Sequence, residues 1–294
     1  MYERILVPMD GSPLAEQVLP YVSILGTAFK SSVVLLRVFD PVPPELADPE
    51  HGVYIDRLAT DFRNLALEYL GGVKRSLSEL GDNVTTIAHE GDAATHILNE
   101  AGKDPNTLVT MSTHGRSGIT RWVLGSVADK ILRAAGNTLM IIRARAQEGF
   151  APGLVATRTE RWSTSVETNN LVVPVDGSKL AEEVLPHVVA LAKGLEAKVS
   201  LVRVASDRSG DGDANAYLAQ VAQRLRQDGV SSVEERLLHG EPAGAILDML
   251  QPMQGAMVAM TTRGQSGLER WVLGSVTDRM VRYSGTPVLV VRGG

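Results

Sequence analysis

The sequence contains no cysteine, few aromatic residues (4%) and no long apolar run. The absence of cysteine excludes disulfide bonds, thiolate metal sites and a cysteine nucleophile. No run approaches the ~18 apolar residues of a membrane-spanning helix, and the N-terminal residues lack the apolar centre of a signal peptide. The net charge of −5 argues against nucleic acid as a partner. These absences predict a cytoplasmic protein that binds neither membranes nor nucleic acid.

Two common phosphate-binding motifs are also missing. The chain has no Gly-x-x-x-x-Gly-Lys-Ser/Thr segment, and no Gly-x-Gly-x-x-Gly segment follows its first apolar run. The six histidines and the carboxylates show no metal-ligand spacing. We therefore expect neither a Walker-type phosphate loop nor a dinucleotide fingerprint, and no metal site built from side chains.

What the sequence does contain is a duplicated domain. The segment "ILVPMDGSPLAEQVLPYV" (Ile5–Val22) returns as "LVVPVDGSKLAEEVLPHV" (Leu171–Val188), with 12 of 18 positions identical. The segment "THGRSGITRWVLGSVADKILR" (Thr113–Arg133) returns as "TRGQSGLERWVLGSVTDRMVR" (Thr262–Arg282), with 13 of 21 positions identical. A chain of 294 residues has room for two domains of about 150 residues each.

Two segments fall outside the repeat. The first copy carries 17 extra residues, which we place at Pro41–Arg57, and its prolines predict a loop. A polar segment rich in Thr and Ser, with a lone Trp162, separates the copies and is typical of a linker. We therefore expect a first domain at 1–143, a linker at 144–170 and a second domain at 171–294.

Each copy alternates short apolar runs with longer segments of helical spacing. In copy one the runs are "RILVPM", "SVVLLRVF", "NVTTIAH", "TLVTMST" and "TLMIIRA". Five such strands predict a parallel, doubly wound α/β sheet with helices on both faces. Pro20 and Pro186 fall inside the first helical pattern of each copy, where we expect a kink or an early end. The last strands (Thr138–Ile142 and Pro287–Val291) are expected to pair antiparallel as an intramolecular pseudo-dimer.

A Gly-Ser pair precedes the last helical segment of each copy. Ser126–Asp129 and Ser275–Asp278 both read Ser-x-x-Asp, the spacing of a capping box, so a helix is expected to begin at each serine. The first amides of a helix lack partners inside it, and with the helix dipole they form an anion site. Gly125 or Gly274 would let a phosphate approach these amides closely. Turn and cap chemistry alone would also place Gly and Ser here, and the sequence leaves both interpretations open.

These motifs, in this order, resemble the universal stress protein family. The resemblance rests on "ILVPMDGS", "LLRV" and "MSTHG" followed after nine residues by "GS", and it covers nearly the whole chain outside the linker. It implies a tandem-domain member in which each copy has an adenine nucleotide α-hydrolase-like fold. It also implies ATP held by a Gly-x-x-Gly-(9 residues)-Gly-Ser/Thr pattern, with an aspartate on the nucleoside and the second strand's main chain on adenine.

Carried onto this chain, the resemblance implies one nucleotide site in each copy. The site residues in copy one are Pro8, Asp10, Val38, Met111, Ser112, Gly115, Gly125, Ser126 and Val127. Those in copy two are Pro174, Asp176, Val204, Met260, Thr261, Gly264, Gly274, Ser275 and Val276. Ser112 and Thr261 replace the first glycine of the pattern, and the threonine methyl would crowd the ribose or α-phosphate more. Mg²⁺ accompanying ATP would take most of its ligands from phosphate oxygens.

The expected function is a regulatory, ATP-binding stress-response role with little or no efficient catalysis. Hydrolysis also needs a placed water and an activating base or metal, and no histidine occupies the same position in both copies. A slow ATPase and a further homodimer stay open. The alternative is an interaction scaffold of the same fold that binds no nucleotide, which the side chains of Ser112 and Thr261 favour.

Overall fold

The computed structural model describes residues 1–46, 48, 50, 54–113, 124–143, 166, 168–206, 209–262 and 273–293. Copy one folds in the order β1 (Arg4–Pro8), α1 (Pro13–Glu16), α2 (Leu19–Phe29), β2 (Ser32–Phe39), α3 (Ile55–Ser76), β3 (Val84–Glu90), α4 (Ala93–Ala101), β4 (Thr107–Ser112), α5 (Ser126–Ala134) and β5 (Leu139–Ile142). Copy two follows with β6 (Asn170–Pro174), α6 (Lys179–Glu182), α7 (Leu185–Gly194), β7 (Lys198–Ala205), α8 (Asp211–Gln227), β8 (Val233–His239), α9 (Pro242–Leu250), β9 (Ala256–Thr261), α10 (Ser275–Tyr283) and β10 (Val288–Val291).

The strands of the described residues form one ten-stranded sheet in the order β3-β2-β1-β4-β5-β10-β9-β6-β7-β8. Neighbouring strands within each copy are parallel, and β5 pairs with β10 antiparallel. Both the doubly wound α/β fold and the antiparallel pairing of the last strands are confirmed. Asn170, which the sequence assigned to the linker, is the first residue of β6.

Buried apolar side chains form a layer on each face of the sheet. Along β1, Ile5 and Val7 belong to one layer and Leu6 to the other, as the two-residue period of a strand requires. Helices α2, α3, α7 and α8 pack on the first face, and α4, α5, α9 and α10 pack on the second. Because helices cover both faces, the central strands are mostly apolar and show no alternation of polar and apolar residues.

The prolines of the first helical pattern mark a break between two helices. In copy one α1 ends at Glu16, and α2 begins at Leu19 with Pro20 in its first turn. Pro186 takes the same place in α7. A proline is tolerated in the first turn because its missing N–H would have no partner inside the helix. The pattern therefore ends early and restarts instead of kinking.

The predicted loop Pro41–Arg57 is helical at its end. Pro44–Leu46 form a 3₁₀ turn, and α3 begins at Ile55 with Asp56 in its first turn. An acidic residue at the start of a helix is favoured by the helix dipole, and Asp56 therefore stabilises this first turn.

The pairing of β5 with β10 joins the two copies through backbone. Val288 lies opposite Ile141, and Val290 lies opposite Leu139. The carbonyls of Pro287 and Val291 accept hydrogen bonds from the β9 side, so the alternate residues Val288 and Val290 direct their N–H groups toward β5. All four residues of each strand are buried.

Arginine side chains from both copies stabilise the contact between β5 and β10, which we call the seam. The Arg292 guanidinium donates to the carbonyl of Ala135 (2.5 Å), at the C-terminal end of α5. In the matching contact, Arg143 donates to the carbonyl of Tyr283 (3.1 Å), at the end of α10. Helix C-termini present unpaired carbonyls and negative dipole charge, which an arginine satisfies. Each copy therefore caps the last helix of the other.

An exposed ion pair connects the last two helices of each copy. Asp92 caps α4 by accepting from the Thr95 hydroxyl and amide, and it also accepts from Lys130 of α5 (3.0 Å). These donors, with the Thr95 hydroxyl first, lower the pKa of Asp92 to about 2. At the matching positions Glu241 caps α9 and accepts from Arg279 of α10 (2.6 Å).

We predict that Val290→Pro opens the seam, because proline removes the N–H that faces Leu139. Amide hydrogen exchange should accelerate at Leu139 and Ile141, which face β10, more than at Met140, which faces β4. The control is Val199→Pro, which removes a hydrogen bond to Ser232 on the other side of copy two. Unchanged protection of Leu139 and Ile141 in Val290→Pro would contradict the pairing.

We predict that Asp92→Asn lowers the melting temperature at neutral pH but not near pH 2. A carboxylate whose pKa is lowered by folding stabilises above its unfolded pKa, 3.8, and that stability is lost as the pH falls through about 2. The measurement is thermal unfolding from pH 7 to pH 2, with the exposed Asp82→Asn as control. A difference between Asp92→Asn and the parent that is independent of pH would show that the charge of Asp92 contributes nothing.

Candidate functional site

Each copy has a cavity at the carboxyl ends of its parallel strands. The cavity of copy one measures about 320 Å³, and that of copy two about 240 Å³. In each copy the first and fourth strands are neighbours in the sheet. The chain leaves the first strand toward one side of the sheet and the fourth strand toward the other, and each cavity lies between these two strand ends. Open α/β sheets bind their ligands at such a switch point.

The structure brings the predicted site residues that it describes together around one cavity in each copy. In copy one the cavity is lined by Pro8, Asp10, Val38, Met111, Ser112, Gly125, Ser126 and Val127. In copy two it is lined by Pro174, Asp176, Val204, Met260, Thr261, Gly274, Ser275 and Val276. Gly115 and Gly264 lie outside the described residues.

A tight turn fixes the aspartate at the end of β1. Asp10 accepts a hydrogen bond from the Ser12 amide (2.8 Å) through Oδ1, and the Ser12 hydroxyl in turn caps α1. Gly11 between them has a φ of +88°, in the left-handed region that favours glycine. Copy two repeats this turn at Asp176, where the matching bond is 2.9 Å. The carboxylate is thus held in one orientation beside the cavity.

The last helix of each copy begins where expected, but its cap differs from the prediction. α5 begins at Ser126 and α10 at Ser275, yet the capping residues are Gly125 and Gly274, without a side-chain cap bond. The capping box is therefore wrong, because each serine stands one residue too late to accept from the third amide. Asp129 instead pairs with Arg133 and, across the seam, with Arg282, and Asp278 also pairs with Arg282.

The glycines at these helix starts are not required by the backbone. Gly125 has φ −58° and ψ 146°, and Gly274 has φ −58° and ψ 144°, which any residue can adopt. Their amides donate to Thr113 (2.9 Å) and Thr262 (2.7 Å), so each helix start is fixed to the end of the fourth strand. Gly125 and Gly274 both line their cavities, so each helix begins at the cavity wall.

The two cavities differ in the last residue of the fourth strand, which we call the floor of the cavity. Ser112 ends β4, whereas Thr261 ends β9, and both side chains are buried. In copy two the Thr277 hydroxyl donates to the Thr261 carbonyl (2.9 Å), a bond that Ala128 at the matching position cannot make. Copy one also has Asp40 on its wall. The smaller volume of copy two agrees with its bulkier floor.

Sequence reasoning did not identify the ion pairs that connect the helices on either side of each cavity. Asp92–Lys130 joins α4 to α5, and Glu241–Arg279 joins α9 to α10. The available signal was an acidic residue after glycine at matching positions of both copies, directly before a helical segment.

In the part of the chain that the structure describes, no group of three or more His, Asp or Glu side chains could hold a metal ion. None of its helices combines the length and the apolar character that crossing a bilayer requires.

Comparison with known proteins identifies the family of this chain. The model of the Universal stress protein family matches residues 1–143 and 167–292. A universal stress protein of Methanocaldococcus jannaschii is 28% identical over 137 residues, which cover 42% of this chain and 81% of the relative. Universal stress protein YxiE of Bacillus subtilis is 26% identical over 150 residues, 49% of this chain and all of the relative.

Solved structures agree with this fold. A universal stress protein from Archaeoglobus fulgidus superposes with a TM-score of 0.75 at 22% identity, covering 100% of both chains. A putative universal stress protein from Pseudomonas aeruginosa gives a TM-score of 0.67 at 14% identity, covering 99% of this chain and 93% of the other. The chain therefore belongs to the Universal stress protein family, and it contains two copies of the family's domain.

Proposed function

We propose that both copies bind ATP and that the protein has a regulatory role in the stress response, with little or no efficient catalysis. The observation that carries this proposal is the helix start without a side-chain cap, at Gly125 in copy one and Gly274 in copy two. In each copy it faces a cavity that also holds a fixed aspartate.

The phosphates are assigned to the helix starts. The first amides of α5 and α10 have no partners inside the helix, and the dipole adds about 0.3–1 kcal/mol for a negative charge placed there. Because Gly125 and Gly274 lack a side chain, a phosphate oxygen can approach these amides at hydrogen-bonding distance.

The adenosine is assigned to the ends of β1 and β2. The carboxylate of Asp10 is a hydrogen-bond acceptor, and the ribose hydroxyls are donors. The apolar side chains of Leu36, Val38 and Ile97 line the cavity and suit the faces of the adenine ring. Copy two offers Val202, Val204 and Ile246 for the same purpose.

Mg²⁺ would accompany the phosphates. The described residues hold no three-carboxylate or histidine cluster for it, so phosphate oxygens and water would supply most of its ligands. In copy one Asp10 and Asp40 are carboxylates on the cavity wall.

A binding role is favoured over catalysis by the chemistry of the walls. Among the described residues, neither cavity is lined by lysine or arginine, the side chains that would neutralise charge during phosphoryl transfer. The alternative, a scaffold that binds no nucleotide, is favoured by the buried side chains of Ser112 and Thr261 at the cavity floor.

We predict that Gly125→Asp abolishes ATP binding in copy one and that Gly274→Asp does so in copy two. Each change places a carboxylate where the phosphates belong. Aspartate is a favourable N-cap residue, so lost binding cannot be attributed to a lost helix. Calorimetric titration with ATP and Mg²⁺ should give one site for each single variant and none for the double variant.

The matched control is Gly136→Asp, which adds the same charge at an exposed position just after the other end of α5. It should bind ATP as the parent does. If the parent binds ATP and both cavity variants retain its affinity, the phosphates are bound elsewhere.

We predict that copy one binds ATP more tightly than copy two, because its cavity is larger and its floor lacks the threonine methyl. In a Gly274→Asp background, Ser112→Thr should weaken binding about tenfold. In a Gly125→Asp background, Thr261→Ser should strengthen it. Thr110→Ser removes a methyl group from β4 away from the cavity wall and serves as the control. If the two copies bind ATP equally tightly, and neither Ser112→Thr nor Thr261→Ser changes the affinity, this assignment is contradicted.

A further inference from the structure

An arginine lies directly behind the aspartate turn of copy one. Leu36 and Val38 of β2 line the cavity, so the side chain of Arg37 between them leaves the strand on the opposite face. Its guanidinium lies 3.1 Å from the position that a Cβ of Gly11 would occupy. It also lies over the ring of Tyr69, with Cζ 4.6 Å from the ring centroid. The turn and the α3 tyrosine therefore contact one guanidinium.

Tyr69 is also connected to the aspartate turn through α1. The Tyr69 hydroxyl donates to Oε1 of Glu16 (3.0 Å), a carboxylate that is only 1% exposed. Glu16 is the last residue of α1, the helix that Ser12 caps, and the Ser12 amide donates to Asp10. The contacts thus form a closed ring that includes the turn and its aspartate.

Copy two contains the same ring. Arg203 lies over Tyr217 at 5.0 Å and 3.6 Å from the Cβ position of Gly177, and Tyr217 donates to Glu182 (3.0 Å). The tyrosines lie in α3 and α8, helices of 22 and 17 residues that otherwise differ strongly in sequence. Glu182 also accepts from Arg224 (2.6 Å).

We propose that Arg37 and Arg203 are positioning residues for the nucleotide, an inference that rests on the proposed function. Each guanidinium supports the glycine turn from behind and so fixes the aspartate carboxylate toward the ribose hydroxyls. Arginine suits this task because its planar, permanently charged group stacks on an aromatic ring and packs flat against backbone. The shorter contacts of Arg37 give it the larger effect.

The test uses the full chain with copy two blocked by Gly274→Asp, so that ATP titration reports on copy one. Arg37→Met keeps much of the side chain's length but removes its charge and its planar group. ATP affinity should fall about fivefold, and Arg37→Lys should recover part of the loss. Arg75→Met, at an exposed position near the end of α3, is the control for loss of one arginine and should change nothing.

A double-mutant cycle separates positioning from general stabilisation. If Arg37 acts through Asp10, Arg37→Met should have almost no further effect on ATP affinity in an Asp10→Ala background. An equal loss with and without Asp10, or no loss in either Arg37 variant, would overturn the inference while leaving ATP binding intact. If the Gly274→Asp chain binds no ATP at all, the proposed function for copy one fails, and this inference fails with it. Should Arg37→Met not fold, Arg37→Lys in the same cycle decides the question.

Discussion

The antiparallel pairing of β5 with β10 determines how the rest of the molecule is arranged. Strands are parallel within each copy, so their carboxyl ends, and the cavity that they form, lie at one edge. The antiparallel contact reverses this direction between the copies. The two cavities therefore open at opposite edges of one continuous sheet, and a single ligand cannot bridge them.

The seam also connects the two helix starts indirectly. α5 begins at the cavity of copy one and ends against Arg292 of copy two, and α10 begins at the other cavity and ends against Arg143. Asp129 and Arg282 form a further ion pair between these helices. The helix assigned to phosphate binding in each copy thus contacts the opposite copy at its far end.

The parts that could be predicted from the sequence are those with local causes. Apolar runs identified the strands. The positive φ of Gly11 belongs to the Asp-Gly-Ser turn, which can be recognised in the sequence. Once strands are parallel, their carboxyl ends must meet, which is why Asp10, Val38 and Gly125 converge although they are distant in sequence. Duplication helped, because a feature found twice at the same spacing is easier to recognise.

What could not be predicted depends on single backbone steps or on distant partners. The N-cap of α5 is Gly125 and not the predicted Ser126. Sequence spacing does not define a helix boundary to within one residue. The bond between Glu16 and Tyr69 joins residues 53 positions apart and has no local pattern. The same holds for Tyr2, whose hydroxyl is 2.6 Å from His187 of the other copy.

The central claim is that a helix start without a side-chain cap, facing a cavity with a fixed aspartate, binds ATP in each copy. Calorimetric titration of the unmodified chain with ATP and Mg²⁺, after removal of any nucleotide retained during purification, tests it most directly. We expect two binding events per chain with unequal affinities. A titration without heat of binding, on protein that also retains no nucleotide when purified gently, would contradict it.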